Sequence, residues 1–204
     1  MNPSILSYIE DRISHFHSIT EDRKNQLMVL VDFISKRKED EAIALTMICT
    51  HNSRRSHLTQ VWAQVAANFY GLKNVVVYSG GTEATAMYSA VGQTLSEIGF
   101  EVNKLSDLVN PVYALRYDEK ALPIICFSKV YDDAFNPKSG FAAVMTCGHA
   151  DANCPHIPQA SQRISLPYED PKNFDESPIK MQAYRERCDQ VATEMLYVMS
   201  QTNN

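Results

Sequence analysis

A chain of 204 residues, 45% hydrophobic and 21% charged, is long enough to bury a sizeable core and suits one α/β unit with modest additions. Its 19 Lys and Arg against 24 Asp and Glu give a net charge of −5, so no basic surplus supports nucleic acid as the main partner. No apolar run is long enough to cross a membrane, and MNPSILSYIEDR lacks a basic segment followed by a hydrophobic one, so a cytoplasmic protein is expected.

Residues 4–37 read as two helices. Ile5, Ile9, Ile13 and Phe16 recur at helical spacing, and Leu27, Leu30, Val31 and Ile34 do so after a boundary at Ser18 and Thr20. The charged run KRKEDE (36–41) reads as a solvated linker, so 1–41 is taken as a helical extension and 42–204 as the main domain.

From residue 42 the period changes. AIALTMI reads as a buried strand, and Leu58, Val61, Trp62, Val65, Ala66 and Phe69 give a helix stopped by Gly71. NVVVYSGG is a second buried strand, and 82–100 a second helix. PVYALRYDEKALPIICFS (111–128) resembles an inserted hairpin turning at Asp118 to Lys120, and FAAVMTC (141–147) is a strand ending at a cysteine. A short strand in QRISLPYEDP precedes a final helix with Ser177 as N-cap and Pro178 at its first position. Met181, Tyr184, Cys188, Val191 and Met195 lie along one face of that helix. Strands alternating with helices predict a three-layer α/β fold, a parallel sheet of about four strands covered on both faces. In such sheets ligands bind at the carboxyl ends of the strands, where Cys49 and Cys147 fall.

The five cysteines are Cys49, Cys126, Cys147, Cys154 and Cys188. In a reducing compartment such a set is expected to serve catalysis, metal binding or packing rather than a disulfide framework. Cys49 has the most telling neighbourhood: Cys49-Thr50-His51-Asn52-Ser53-Arg54-Arg55-Ser56 fits Cys-x5-Arg-Ser between a strand and a helix. Successive backbone N–H groups of such a loop and the helix N-terminus make a concave anion site, and the same positive field favours a thiolate. Arg55 can offer two parallel donors to a tetrahedral oxyanion, and Ser56 a hydroxyl to the sulfur. A buried cysteine closing a strand beside a surface Arg pair explains less of this order.

At these residues the chain resembles the low-molecular-weight protein tyrosine phosphatase superfamily. YSGGTEATAM is similar to that family's segment after the second strand, and Asp170-Pro171 in YEDPKNFD stands where the family places its general acid. The resemblance covers roughly 42–200, leaving the N-terminal helices and the 111–128 hairpin outside the minimal pattern. It implies Cys49 as nucleophile, Arg55 and the loop residues Thr50, His51, Asn52, Ser53, Arg54 and Ser56 as the oxyanion cradle, and Asp170 as acid.

MTCGHADANCPHIP resembles the redox segment of thioredoxin-coupled arsenate reductases. In those proteins a second cysteine attacks the first and a third resolves the disulfide, which here implies Cys147 and then Cys154. Each attack needs a thiolate within reach of the sulfur ahead of it. The seven-residue separation of Cys147 and Cys154 exceeds one helical turn, so the segment must loop or partly unwind. Cys147 could instead be a core cysteine, and Cys147, His149, Cys154 and His156 have the residue types of a zinc site. Neither pair has C-x-x-C spacing, and a core role does not explain Cys154 in a polar loop.

Three departures from the phosphatases stand out. Arg54 occupies the position of a second loop cysteine, Lys172 and Asn173 follow Pro171 in place of aromatics, and His51 replaces a glycine, where a positive φ is expected. Gln60 stands where some arsenate reductases carry a cation-binding Glu, so potassium stimulation is not expected. The resulting reading is an arsenate reductase with no bound cofactor or metal, arsenate as substrate, phosphate as competitor and thioredoxin as electron donor. A protein tyrosine phosphatase using Cys49, Arg55 and Asp170 is the alternative. A non-enzymatic redox or oxyanion sensor docking through its N-terminal helices is a third. Cys126 and Cys188 read as core.

Overall fold

The computed structural model describes residues 1–37, 41–153 and 156–202. Of the expected linker at 36–41, residues 38–40 therefore lie outside the description. Among the described residues, no helix is long and apolar enough to cross a membrane.

The apolar run after residue 42 forms β1 (Ile43–Cys49), buried along almost its whole length. This is the pattern of a strand covered on both faces. It lies between β2 (Val75–Gly81) and β6 (Ala142–Met145), and β7 (Gln162–Ser165) follows β6, in the order β2-β1-β6-β7. All three pairings are parallel, with Cys49 opposite Gly81 and Ile48 opposite Met145. Strand alternation sorts β6: Ala142 and Val144 enter the main core, while Ala143 and Met145 join Ile48, Cys49, Cys147, Ala150 and Ile157 in a smaller cluster.

The main core is covered by α3 (Arg55–Phe69), α4 (Ser89–Ile98), α6 (Lys180–Gln201), α1 (Pro3–Ser14) and α2 (Glu21–Ser35). The two N-terminal helices begin where their caps demand. The Asn2 side chain accepts from the Ser4 N–H ahead of Pro3, and the Thr20 hydroxyl accepts from the Arg23 N–H. Ile5, Ile9, Leu27 and Leu30 are fully buried with Trp62 and Met195, so this pair shares the core of the sheet. Tyr8 stacks on Trp62 and donates to Asp189, and Arg23 pairs with Glu194.

Four local expectations change in detail. The expected hairpin, β4 (Tyr113–Arg116) with β5 (Ile124–Cys126), gains β3 (Glu101–Lys104) and becomes an antiparallel sheet in the order β3-β4-β5. The helix expected from residue 82 starts at Ser89, because Glu83 and Tyr88 spend their N–H groups on the carbonyls of Thr50 and Ser53. The last helix starts at Lys180 rather than behind Ser177. The Ser177 hydroxyl instead accepts from the Ile179 N–H within the preceding turn. Finally, α5 (Gly148–Asn153) is a helix in the stretch expected to loop or unwind.

Candidate active site

The loop between β1 and α3 is shaped by what its carbonyls do. Those of Cys49, Thr50 and Ser53 accept from the N–H groups of Thr82, Glu83 and Tyr88, and that of His51 accepts from the hydroxyls of Thr85 and Ser128. In a trans peptide the N–H points opposite to the preceding carbonyl. The N–H groups of Thr50, His51, Asn52 and Arg54 are thus turned to the other side, and none from residue 50 to 55 finds an acceptor among the described residues. Gly81 makes the close packing possible, since a Cβ there would meet the Thr50 carbonyl at 2.7 Å and the Asn52 nitrogen at 2.8 Å. The positive φ expected at His51 falls on Asn52 instead, at 43°. Asn is among the residues that best tolerate this region, and its side chain is locked as well.

That lock orients the hydroxyl beside Cys49. Asn52 Oδ1 accepts from the Lys129 N–H, so its Nδ2 must be the atom that donates to Ser56 Oγ at 2.8 Å. The Ser56 hydroxyl hydrogen is then free to point at Cys49 Sγ, 3.1 Å away. Cys49 itself is 4% exposed at the carboxyl end of β1.

The two arginines part company. Arg55, the first residue of α3, donates Nη2 to Asp170 Oδ2 at 2.5 Å and Nη1 to the Tyr168 carbonyl at 3.0 Å. Asp170 also caps the short 3-10 turn Pro171–Phe174 through the Lys172 N–H. Arg54 turns its side chain away, donating Nε to the Tyr184 hydroxyl and Nη2 to Asp175 Oδ2, with its guanidinium over the Tyr88 ring at 4.1 Å. Any contact of Arg54 with an anion in the loop therefore falls to its backbone N–H. Its side chain ties the loop to α6 and to the segment after Asp170, a role the motif alone does not announce.

Of the other cysteines, Cys147 lies beside the loop. It follows β6, is fully buried, and its Sγ sits 3.5 Å from Thr50 Oγ1. Thr50 Oγ1 in turn lies 3.3 Å from His149 Nδ1, and the Ala150 N–H donates to Cys147 Sγ at 3.3 Å. Cys154 lies outside the described residues. Cys126 and Cys188 are fully buried in the main core, and burial pushes each thiol up to about 12.

Three supporting residues were not singled out from sequence. Ser128 accepts from the Thr85 N–H while donating to the His51 carbonyl, clamping the loop from the antiparallel sheet's side. Lys129 holds Asn52 through its backbone, and its buried ammonium is pushed down to about 8 by desolvation. Arg23 of α2 lies over the Tyr168 ring at 4.8 Å, so an N-terminal helix steadies the residue whose carbonyl receives Arg55. Nothing in the local spacing points to them, because each contact joins distant segments.

The arrangement thus holds a thiol, a hydroxyl aimed at it, unpaired backbone donors, an arginine and a carboxylate around one loop. Such a set suits attack by sulfur on a tetrahedral oxyanion.

No protein-family model matches the chain. It is 26% identical over 125 residues to an arsenate reductase of Bacillus cereus (strain AH187), covering 61% of this chain and 73% of that protein. It is 27% identical over 126 residues to an arsenate reductase of Staphylococcus aureus (strain Newman), covering 61% of this chain and 75% of that protein. Among solved structures, YwlE arginine phosphatase from Geobacillus stearothermophilus matches with a TM-score of 0.52 and 17% identity, over 79% of this chain and 93% of that one. The parallel sheet and its helices are a low-molecular-weight phosphatase-like α/β fold.

Proposed function

We propose that this chain, with the fold of the low-molecular-weight protein tyrosine phosphatase superfamily and sequence similarity to arsenate reductases, reduces arsenate through a relay of three thiols. The observation that carries the reading is a second thiol, Cys147, at hydrogen-bond distance from the residue after the nucleophile. Ester hydrolysis has no use for it.

In this mechanism arsenate settles on the N–H groups of residues 50–55 and draws the Arg55 guanidinium toward itself. That loosens the hold of Arg55 on Asp170, which is then free to carry a proton. Cys49, with the Ser56 hydroxyl turned to its sulfur, attacks arsenic, and Asp170 protonates the departing oxygen. Cys147 then attacks Cys49 Sγ: an S–S bond forms, the S–As bond breaks, and its electron pair stays on arsenic, which leaves as arsenite. Cys154 attacks Cys147 and frees Cys49, leaving a Cys147–Cys154 disulfide for thioredoxin or a similar thiol reductant.

The test is purified protein with arsenate, thioredoxin, thioredoxin reductase and NADPH, with para-nitrophenyl phosphate in a parallel cuvette. Arsenate-dependent NADPH oxidation supports the reading. Ester hydrolysis without thiol reductant, together with no arsenate turnover, replaces it with a phosphatase.

A further inference from the structure

A fully buried thiol that must attack has a difficulty: its proton needs somewhere to go. Cys147 is 0% exposed, so water does not reach its sulfur directly. The Ala150 N–H on that sulfur can stabilise a thiolate but cannot accept a proton. Among the described residues, the acceptor within reach is Thr50 Oγ1 at 3.5 Å, itself only 8% exposed, and 3.3 Å beyond it stands His149 Nδ1. His149 is exposed on α5. The three groups therefore form a line from the buried sulfur to solvent. The carboxylate on the same helix, Asp151, is held by Arg163 and by the Ser165 hydroxyl.

We propose that His149, acting through the Thr50 hydroxyl, takes the proton of the Cys147 thiol as Cys147 attacks Cys49. The proposal rests on the reductase reading above. The Cys147 proton passes to Thr50 Oγ1 as the Thr50 hydroxyl proton passes to His149 Nδ1, which requires a neutral imidazole with its hydrogen on Nε2. The Cys147 sulfur then bonds to Cys49 Sγ while the Cys49–arsenic bond breaks. Arsenic gains the electron pair, passing from arsenic(V) to arsenic(III), and the two sulfurs are oxidised together to a disulfide. The imidazolium, exposed on α5, then releases its proton to water, and the leaving arsenite takes the protons it needs from water. His149 is thus a positioning residue for the proton and does not touch arsenic. Thr50 serves twice, with its backbone toward the oxyanion and its hydroxyl toward the second thiol.

The experiment is a single turnover with arsenate in a Cys154→Ser background, quenched with an alkylating agent and read by mass spectrometry for the Cys49–Cys147 disulfide. In the parent the rate should rise with pH, as transfer of the thiol proton to a base requires. His149→Gln should be at least about tenfold slower at pH 7 and lose that rise, general-base help being worth about 10²–10⁴-fold when complete. His149→Ala should be partly restored by added imidazole, which a purely structural role would not allow. Phosphate-protected alkylation of Cys49 checks that each variant keeps its anion loop. A His149→Gln rate and pH profile equal to the parent's, or a slow His149→Ala that imidazole does not restore, overturns the proposal and leaves the reductase reading intact. A Cys147→Ser variant that still turns over arsenate at the parent rate overturns the reading beneath it.

Discussion

Arg55 Nη2 meets Asp170 Oδ2 at 2.5 Å, joining a loop and a segment 115 positions apart in the chain. Its other terminal nitrogen holds the Tyr168 carbonyl, so one guanidinium fixes the approach of the whole Asp-Pro segment. A substrate oxyanion asks for the same donors.

Asp170→Asn should lower ester hydrolysis most for poor leaving groups, with a loss of about 10²–10⁴-fold where the leaving oxygen needs a proton. It should also weaken the tie to Arg55, so phosphate, freed from a competitor for the guanidinium, should protect Cys49 from iodoacetamide at lower concentration. Initial rates against a series of aryl phosphates measure the first effect. A uniform loss across leaving groups would mean that Asp170 serves only as a cap for Pro171–Phe174.

Cys49→Ser should abolish arsenate and ester turnover alike, since among the described residues no base is hydrogen-bonded to that position to make an alkoxide near neutral pH. In the unsubstituted protein Cys49 should be alkylated before the other described cysteines, and arsenate or phosphate should slow that alkylation. Peptide mapping after a short iodoacetamide pulse decides it. A different first-labelled cysteine, indifferent to oxyanions, removes Cys49 from the site.

Cys147→Ser and Cys154→Ser should each stop multiple turnover of arsenate, because reduction must carry two electrons away through further thiols. Without Cys154 the Cys49–Cys147 disulfide should accumulate after one turnover, whereas without Cys147 the reaction should halt before any disulfide forms. Oxidised wild-type protein should show Cys147 joined to Cys154, with Cys126 and Cys188 free. Both variants reducing arsenate at the wild-type rate would break the relay.

Arg54→Ala tests the brace between loop and last helix. It removes two hydrogen bonds and a cation–ring contact, and leaves Asp175, 13% exposed at its side chain, without its cation. Breaking such a pair from one side should cost about 2–4 kcal/mol, a fall in Tm of roughly 5–15 °C for a chain of this size. Calorimetry of Arg54→Ala, Asp175→Asn and the double variant should show a coupling of about 1 kcal/mol or more. Additive losses would mean that the pair contributes nothing as a pair.

Lys129 gives a stability-against-pH prediction. Burial lowers its folded value to about 8, with Cys126 and Asp133 pulling weakly the other way, while the unfolded chain keeps the ordinary lysine value near 10.4. Between those values the unfolded state holds the extra proton, so this group's contribution to stability rises as pH goes from about 8 to about 10.4. Below that window its buried ammonium weighs against folding by a constant amount, on the order of 3 kcal/mol. Lys129→Met should therefore be relatively more stable than wild type at pH 7 than at pH 10. Urea midpoints of the two proteins across this range measure it, and a pH-independent difference would refute it.

The sequence by itself determined the strand–loop–helix around Cys49, because hydrophobic period, Cys-x5-Arg-Ser spacing and the succession of strand, loop and helix along the chain are all local or sequential properties. The burial of Cys126 followed from its apolar run, and that of Cys188 from its place on the apolar face of the last helix. What lay beyond it were choices between competing partners. Whether 82–88 is helical depends on whether the carbonyls of Thr50 and Ser53 claim its N–H groups, and they do. Arg54 and Arg55 are neighbours of one residue type, and only the distant placement of Asp175 and Asp170 sends one to the α6 side and the other to the Asp-Pro segment. The line Cys147–Thr50–His149 needs β6 parallel to β1 in the register that sets Met145 beside Ile48, an alignment no single segment encodes. Tertiary structure decided these because a hydrogen bond is chosen by which donor and acceptor the packed chain brings together, and spacing along the chain fixes that only within a few residues.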